Sequence, residues 1–239
     1  VKLNAAALLT AVRATTQPRS AGSAAARRRN AIAERSKQQR AHWEQRAAEA
    51  RTAPTLSATT LAAELAEVMP EDAVFCDETV SNRQPFVNLI GFKSPLSYWS
   101  GKGGGLGFSL PGALGMSLAQ PRRTIVNAIG DGALMYYPQT LWTAANLGLG
   151  SVVVLVLNNT SYRVLKLGVQ RMGGPWASTG VYPPGLDIEG PTLDVVAMAR
   201  AMGVEAERVS QPSQLRPALE RAFSAGRPYV LDTLIEKSV

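Results

Sequence analysis

The chain has 239 residues, 46% of them hydrophobic, and carries a formal net charge of +7 with a sequence pI near 9.9. This length suits one large domain, or one domain with an appendage. No stretch reaches the 18 or more apolar residues of a membrane span, and the N-terminus lacks a signal-peptide pattern. We therefore expect a cytoplasmic protein without a membrane partner. The single cysteine, Cys76, lies in an apolar run and argues against a disulfide framework or a cysteine-based metal site.

The basic excess is confined to the first 52 residues, which hold 11 Lys/Arg against 3 Asp/Glu, whereas the remaining 187 hold 14 against 15. Residues 18–51 are rich in Ala, Arg, Glu and Gln, which favour helix. Apart from Trp43 they lack the aromatic side chains that accompany single-strand nucleic-acid binding. We interpret the segment as a solvated helix or helical linker, and nucleic acid is not the expected partner. The only histidine, His42, lies in this segment and has no second ligand beside it.

In chain order, residues 1–17 predict a short apolar helix, and residues 18–54 predict the basic helix and a linker. A compact α/β domain follows over residues 55–239. Its helices and strands alternate, which favours a doubly wound parallel sheet flanked by helices, with an N-terminal helical extension. The first helix of the domain begins after Ser57, and the others are predicted at 108–120, 138–147, 192–202 and 212–224. The strands are predicted at 73–76, 124–129, 151–157, 204–209 and 229–235.

Two short polar motifs each follow a predicted strand. Gly130-Asp131-Gly132 follows the apolar run 124–129, and Asn158-Asn159 follows the longer run 151–157. Apolar runs bounded by turn residues are typical of buried parallel strands. Because parallel strands end at the same edge of a sheet, where α/β proteins place their ligands, the two motifs are expected to meet there.

The residue types in these motifs suit magnesium. Mg²⁺ takes oxygen ligands, usually one or two carboxylates together with substrate phosphates. Asp131 offers a carboxylate and Asn159 an amide oxygen, while Gly130 and Gly132 are expected to let the backbone turn and phosphate oxygens approach. A helix expected near Pro138 adds the positive field of its N-terminus. The motifs predict a magnesium ion and, through it, a bound diphosphate.

From about residue 55 to its end, the chain resembles the thiamine-diphosphate-dependent decarboxylases and lyases, and among them most resembles the benzoylformate decarboxylase branch. Members of that family share a GDG motif that is followed, about 25 residues later, by an NN motif. The resemblance implies thiamine diphosphate and Mg²⁺ as cofactors, and an enzyme that cleaves or forms a C–C bond next to a carbonyl. The segments that carry it are GGLGFSLPGALG (104–115), IGDG (129–132), LWTAA (141–145), LNN-x-x-Y (157–162) and LDVVAMARAMGV (193–204).

The resemblance assigns the metal and diphosphate contacts position by position. Asp131 and Asn159 correspond to the side-chain ligands of magnesium, and Ser161 to the residue that gives its backbone oxygen. Gly132 and Ala133 correspond to residues whose backbone amides bind the diphosphate.

The resemblance also assigns residues that contact the rest of the cofactor. Leu106 matches the bulky apolar residue that holds the cofactor in a bent shape, although it also fits a core leucine. Gly104 matches the residue whose backbone oxygen accepts from the aminopyrimidine group, and Gly105 lies between the two. We expect these residues to shape the cofactor for catalysis.

Further cofactor contacts are expected from Ser81, Gly130 and Tyr162. Ser81 lies where the family places a hydroxyl on the diphosphate, but it equally fits the N-cap of the helix that follows. Val80 replaces a second hydroxyl expected one residue earlier. Tyr162 fits a packing residue as well.

Substrate contacts are expected after the asparagine motif. Val164, Leu165 and Gly168 lie where the family lines its substrate pocket, but they also fit one face of a helix. Residues 163–190 are long for a connection and contain several glycines, so we expect a flexible lid over the bound ligands.

The glutamate that activates the cofactor in this family has no counterpart in the chain. In the family it comes from the pyrimidine-binding domain, which residues 1–60 do not resemble. We therefore expect a C-terminal piece or separate subunit that is inactive alone. Its expected partner is a chain or domain with the pyrimidine-binding half of the site, in a dimer or tetramer.

Three alternatives remain open at this stage. The basic helix would suit an anionic CoA ester, as in a 2-hydroxyacyl-CoA lyase or oxalyl-CoA decarboxylase, instead of a free 2-oxo acid. A nucleotide-binding module would use GKGGGLG (101–107) as a phosphate loop, but residues 96–100 before it make a poor buried strand. A regulatory subunit would retain the fold without activity, which the intact GDG and NN motifs argue against.

Overall fold

The computed structural model describes residues 2–15, 23–92, 94–101 and 104–237. They divide into two compact units, residues 1–44 and 45–239. Two helices account for the N-terminal segment, α1 (Lys2–Thr15) and α2 (Ala24–Thr52). They agree with the helices predicted within 1–17 and 18–54, while residues 16–22 lie outside the described residues. The predicted domain boundary after residue 54 stays a prediction.

The second unit is built on a parallel sheet that has six strands within the described residues. The strands are apolar and mostly buried, so each face of the sheet needs a cover of helices. The strands are β1 (Val74–Glu78), β2 (Tyr98–Ser100), β3 (Ile125–Gly130), β4 (Val152–Asn158), β5 (Glu205–Val209) and β6 (Tyr229–Leu234).

Helices cover both faces of this sheet and enclose two hydrophobic cores. Helices α3, α4 and α11 pack on the face that carries Phe75, and α5, α7 and α10 pack on the face that carries Cys76. The bounds are α3 (Ala58–Val68), α4 (Arg83–Leu89), α5 (Ser109–Ala119), α6 (Asp131–Leu134), α7 (Thr140–Asn146), α8 (Arg163–Met172), α9 (Pro175–Thr179), α10 (Val195–Ala201) and α11 (Pro212–Ser224). The predicted doubly wound α/β fold is confirmed.

The strand order is β2-β1-β3-β4-β6-β5. From β1 the chain moves to β2 on one side, and from β3 it moves to β4 on the other. The neighbouring strands β1 and β3 therefore form a topological switch point, beyond whose carboxyl ends open α/β sheets bind their ligands.

Several local expectations were wrong. Strand β1 continues past the predicted end at Cys76, because the next two acidic side chains are buried with hydrogen-bond partners. Residues 98–100 form a short, half-buried edge strand, in agreement with the expectation that residues 96–100 make a poor buried strand. The alternative role of Ser81 as an N-cap is wrong, since it lies in a 3₁₀ turn, Val80–Asn82, before α4 begins at Arg83.

The segment 163–190, expected to be a flexible connection, begins with the helices α8 and α9. No proline interrupts residues 163–174, and the single interior glycine does not outweigh the helix-favouring Leu, Lys, Gln and Arg. The helix expected from Pro138 begins instead at Thr140, and the short α6 begins at the GDG motif itself.

Candidate cofactor site

A cleft opens at the carboxyl edge of the sheet, above the switch point between β1 and β3. Three chain segments that follow β1, β3 and β4 form its walls, and the loop before α5 contributes one residue, Leu106. The cleft is lined by Thr79, Val80, Ser81, Asn82, Leu106, Gly130, Asp131, Gly132, Ala133, Leu157, Asn159, Ser161, Tyr162, Arg163 and Val164.

Asp131 is the acidic residue of the cleft, and only 3% of its surface is exposed. Its Oδ1 accepts a hydrogen bond from the backbone N–H of Gly132 at 2.8 Å. Its Oδ2 is buried and has no hydrogen-bond partner within the described residues. Because an unpaired buried carboxylate oxygen is costly, this atom favours binding of a cation or donor that none of the described residues supplies.

Burial raises the pKa of Asp131 from its ordinary value of 3.8 to about 6. The backbone N–H groups of Gly132, Thr160 and Asn159 act in the opposite direction, while the charge of Asp232 raises the pKa further. The carboxylate form is therefore disfavoured in the apo protein, and a bound cation would stabilise it.

The two asparagines after β4 have different surroundings. Asn158 is buried beside β6, where its Nδ2 donates to Asp232 Oδ1 at 2.9 Å and its Oδ1 accepts from Thr160 N at 3.3 Å. Asn159 lines the cleft, and its Oδ1 accepts from Ser161 N at 3.2 Å. The first asparagine therefore shapes the loop, and the second faces the cleft.

A strap, residues 186–188, runs antiparallel to the loop that follows the asparagines. Tyr162 N donates to Leu186 O at 3.0 Å, and Ile188 N donates to Thr160 O at 2.8 Å. These bonds fix the backbone around Ser161, which forms an isolated bridge with Asp187.

An ion pair secures this strap to α8. The buried Lys166 donates from Nζ to Asp187 Oδ1 at 2.6 Å, and its ammonium also lies 5.0 Å from the centre of the Tyr182 ring. Lys237 makes a second ion pair with Asp187 at 3.0 Å. The two lysines hold the pKa of the Asp187 carboxyl below its usual range.

The glycines of the GDG motif serve different purposes. Neither adopts a left-handed backbone conformation, so the expected tight turn is not the reason for them. A Cβ on Gly132 would lie 2.5 Å from Cε1 of Tyr162, whereas a Cβ on Gly130 would meet nothing within 4 Å. Gly132 thus permits the close packing of the tyrosine ring, and the space at Gly130 is open to a ligand.

Two loops of the cleft each contain a non-glycine residue with positive φ, and the third such residue among those described, Leu96, lies before β2. Val80 has φ 46° and Thr160 has φ 50°. β-branched residues rarely adopt this conformation, which costs about 1–3 kcal/mol per residue. Val80 directly precedes Ser81, and Thr160 lies between Asn159 and Ser161, so the strained residues adjoin the predicted ligand contacts.

The loop that carries Leu106 is attached to the end of β1. Both carboxylate oxygens of the buried Glu78 accept backbone hydrogen bonds, one from Gly107 N and one from Ser109 N at 2.8 Å. Leu106 itself is 39% exposed and lies at the cleft, so the alternative of a buried core leucine is wrong. Gly104 has φ 74°, which explains a glycine there.

Most of the predicted site residues therefore come together in one cleft. The exceptions are Gly104, Gly105, Leu165 and Gly168, which are not among its lining residues. Sequence reasoning missed Thr79, Asn82, Leu157 and Arg163 as cleft residues. Arg163 and Asn82 could have been found from the sequence, because each directly follows a residue that the resemblance had already assigned, Tyr162 and Ser81.

The residues present fit a magnesium ion. Within the described residues there is no cluster of three or more His, Cys, Asp or Glu side chains that would suggest a transition metal. The cleft instead offers one carboxylate with an unpartnered oxygen, an amide and backbone oxygens, which is the donor set of a hard cation that also binds phosphate.

Residues 81–233 match the family model described as thiamine pyrophosphate enzyme, C-terminal TPP binding domain. The chain belongs to this family. The matched range contains β3, the GDG and NN motifs and the strap. Membership rules out the alternative of an unrelated nucleotide-binding module and makes this a thiamine-pyrophosphate-binding domain.

Members of the family from two enzyme groups resemble this domain. Benzoylformate decarboxylase of Pseudomonas aeruginosa is 38% identical over 163 residues, which are 68% of this chain and 29% of the relative. Acetolactate synthase 1 of Oryza sativa is 30% identical over 155 residues, which are 60% of this chain and 22% of the relative. The thiamine diphosphate-dependent 4-hydroxybenzoylformate decarboxylase of Rhodococcus jostii matches in structure, with a TM-score of 0.69 and 32% identity over 78% of this chain and 34% of that chain.

The chain thus spans about a third of the length of the relatives it matches. Enzymes of this family are generally oligomeric and act on small molecules. Among the described residues, no helix combines the length and the apolar character needed to cross a membrane.

Proposed function

We propose that the chain binds thiamine diphosphate through Mg²⁺ in this cleft and serves a 2-oxo acid decarboxylase of the benzoylformate decarboxylase type. The observation that carries the magnesium assignment is the buried, unpartnered Oδ2 of Asp131. Asp131 and Asn159 would hold the ion together with the backbone oxygen of Ser161, whose position the strap fixes.

The diphosphate would lie between the loops after β1 and β3. Gly132 and Ala133, in the first turn after β3, would donate their backbone amides, and Ser81 would donate its hydroxyl. The open space at Gly130 supports close approach of an oxygen ligand. Leu106, at the opposite wall, would support the cofactor from below, with Gly104 contacting its aminopyrimidine group.

When bound, the cofactor supplies an electron sink for the bond that breaks next to the carbonyl. The chain's own residues bind and orient it. Val164, at the start of α8, and the neighbouring Leu165 would form one wall of the substrate pocket, with Gly168 further along the helix. An aromatic 2-oxo acid is the proposed substrate, because the relatives at 38% and 32% identity are named for benzoylformate and 4-hydroxybenzoylformate.

We propose that a partner chain or domain supplies the activating glutamate and the opposite wall of the site. Exposed apolar side chains beside the cleft support this arrangement. Tyr136 and Tyr137 pack next to Gly107, directly after Leu106, and both are about half exposed. Trp142, on the nearby α7, is 57% exposed. Exposed aromatic side chains of this kind are typical of protein interfaces.

Calorimetric titration with thiamine diphosphate tests the cofactor assignment, with and without Mg²⁺, on the chain alone and with its partner. We expect Mg²⁺-dependent binding that Asp131→Ala abolishes. Absence of binding under every condition would contradict the proposal. For the substrate, the assembled enzyme should decarboxylate benzoylformate; turnover of oxalyl-CoA or a 2-hydroxyacyl-CoA instead would favour the acyl-CoA alternative.

A further inference from the structure

Arg163 has no role in the site as proposed so far, yet it lines the cleft. Asp131 and Arg163 are the charged residues among the lining side chains. The guanidinium donates from Nη1 to Oδ1 of Asn82 at 2.9 Å, across from the loop after β1. Its Nε is buried and has no acceptor within the described residues.

The position of this arginine is unfavourable for the helix that carries it. Arg163 is the first residue of α8, and the first turn contains no acidic residue. A cation at a helix N-terminus opposes the positive end of the helix dipole. No carboxylate of the described residues forms an ion pair with Arg163, so none of them offsets this charge directly. An anion bound in the cleft would offset the charge of Arg163.

Asn82 fixes the direction of the guanidinium. It is buried, and it directly follows Ser81, the residue proposed to donate its hydroxyl to the diphosphate. Arg163 is therefore held beside the loop after β1, which carries Ser81. With Nη1 engaged by Asn82, its second terminal nitrogen, Nη2, is left to donate to an oxyanion in the cleft, and charge-assisted bonds of this type are strong.

We propose that Arg163, oriented by Asn82, binds the diphosphate of the cofactor and completes the site opposite the magnesium ligands. This rests on the proposed function, since it assumes that the diphosphate occupies the cleft. A magnesium ion held by Asp131 leaves the diphosphate with excess negative charge. Arg163 is the basic residue among those that line the cleft, and it can offset this charge. The carboxylate of a 2-oxo acid has the same chemistry, but the adjacency to Ser81 favours the diphosphate.

The test uses the full chain and three probes: thiamine diphosphate, inorganic pyrophosphate and benzoylformate, each titrated calorimetrically with excess Mg²⁺. Arg163→Met keeps the apolar stem and removes the charge, and we expect it to weaken both diphosphate probes by about 10- to 100-fold. Arg163→Lys should recover part of the loss, and Asn82→Ala should cause a smaller one. The control is Arg171→Met, an exposed arginine on the same helix, which should bind like the wild type.

The unliganded melting temperature shows whether the variants are folded. Arg163→Met loses the hydrogen bond to the buried Asn82 but relieves repulsion at the helix N-terminus, so its melting temperature should stay close to that of the wild type. If wild type and Arg163→Met bind both diphosphate probes equally, this inference is wrong while the proposed function stands. Weakening of benzoylformate alone would assign Arg163 to the substrate and overturn the diphosphate contact. If the wild type binds neither diphosphate probe, alone or with its partner, both proposals are overturned.

Discussion

Replacing Asp131 by Asn should change how the stability of the apo protein depends on pH. The pKa of Asp131 is about 6 in the folded protein against an ordinary 3.8. Between these values the folded state retains a proton that the unfolded state has lost, so the free energy of unfolding falls as pH rises. The full loss, reached above pH 6, is about 3 kcal/mol at 1.36 kcal/mol per pKa unit.

Asn cannot ionise, so Asp131→Asn does not show this loss. The relevant quantity is the difference in unfolding free energy between variant and wild type. It should move in favour of the variant by roughly 2 kcal/mol from pH 4 to pH 7, because part of the full loss already occurs below pH 4. Any constant cost of burying the amide cancels in this comparison. Urea denaturation of both proteins, at several pH values and in the presence of a metal chelator, measures this difference in unfolding free energy.

Two additions make the measurement decisive. Asp72→Asn, at an exposed position, serves as the control and should show a much smaller change. Mg²⁺ with thiamine diphosphate should stabilise the wild type but not Asp131→Asn. The difference in unfolding free energy between wild type and variant could also stay constant from pH 4 to pH 7. That result would refute the argument that the buried, unpartnered carboxylate is destabilised until it binds a cation.

Three further outcomes follow from the contacts of the site and core. Gly132→Ala places a methyl group against the Tyr162 ring, so it should lower the unfolding free energy by about 1–3 kcal/mol and weaken cofactor binding. Denaturation and calorimetry measure the two effects, and unchanged values would contradict the close packing. Lys166→Met removes the ion pair to Asp187, so limited proteolysis should cut the strap faster than in the wild type. Equal cleavage rates would mean that this ion pair does not hold the strap in place. Cys76 is buried, and burial raises its pKa to about 12. A thiol reagent at pH 8 should therefore react with it only after denaturation, and rapid labelling of the native protein would contradict this burial.

Five of the six strands in the described residues could be predicted, because runs such as those of β3 and β4 are largely apolar and bounded by turn residues, whereas the short edge strand β2 was not predicted. The approximate position of the site followed as well, since parallel strands deliver their terminal residues to one edge. The sequence could not show that β1 extends to Glu78, because acidic residues normally end a buried strand. The extension depends on backbone donors from the loop before α5, which are distant in sequence.

The strap was also beyond sequence reasoning. Residues 173–191 are rich in glycine and proline and carry no periodic pattern, yet Asp187 and Ile188 contact the loop of the second motif. Such contacts depend on tertiary placement. The same holds for the left-handed conformation of Val80, which no local preference of a β-branched residue would predict.

The parallel register of the sheet has a consequence for engineering the protein. Gly130 pairs with Leu157, so the two motifs begin within one residue of the same level of the sheet, whatever the length of chain between them. Inserting one residue within a strand would invert every side chain beyond it, whereas lengthening a connection costs little. Connections at the opposite edge, such as Leu147–Ser151, lie away from the cleft. Fluorescent labels, fusion partners or new chain ends introduced there should leave cofactor binding intact.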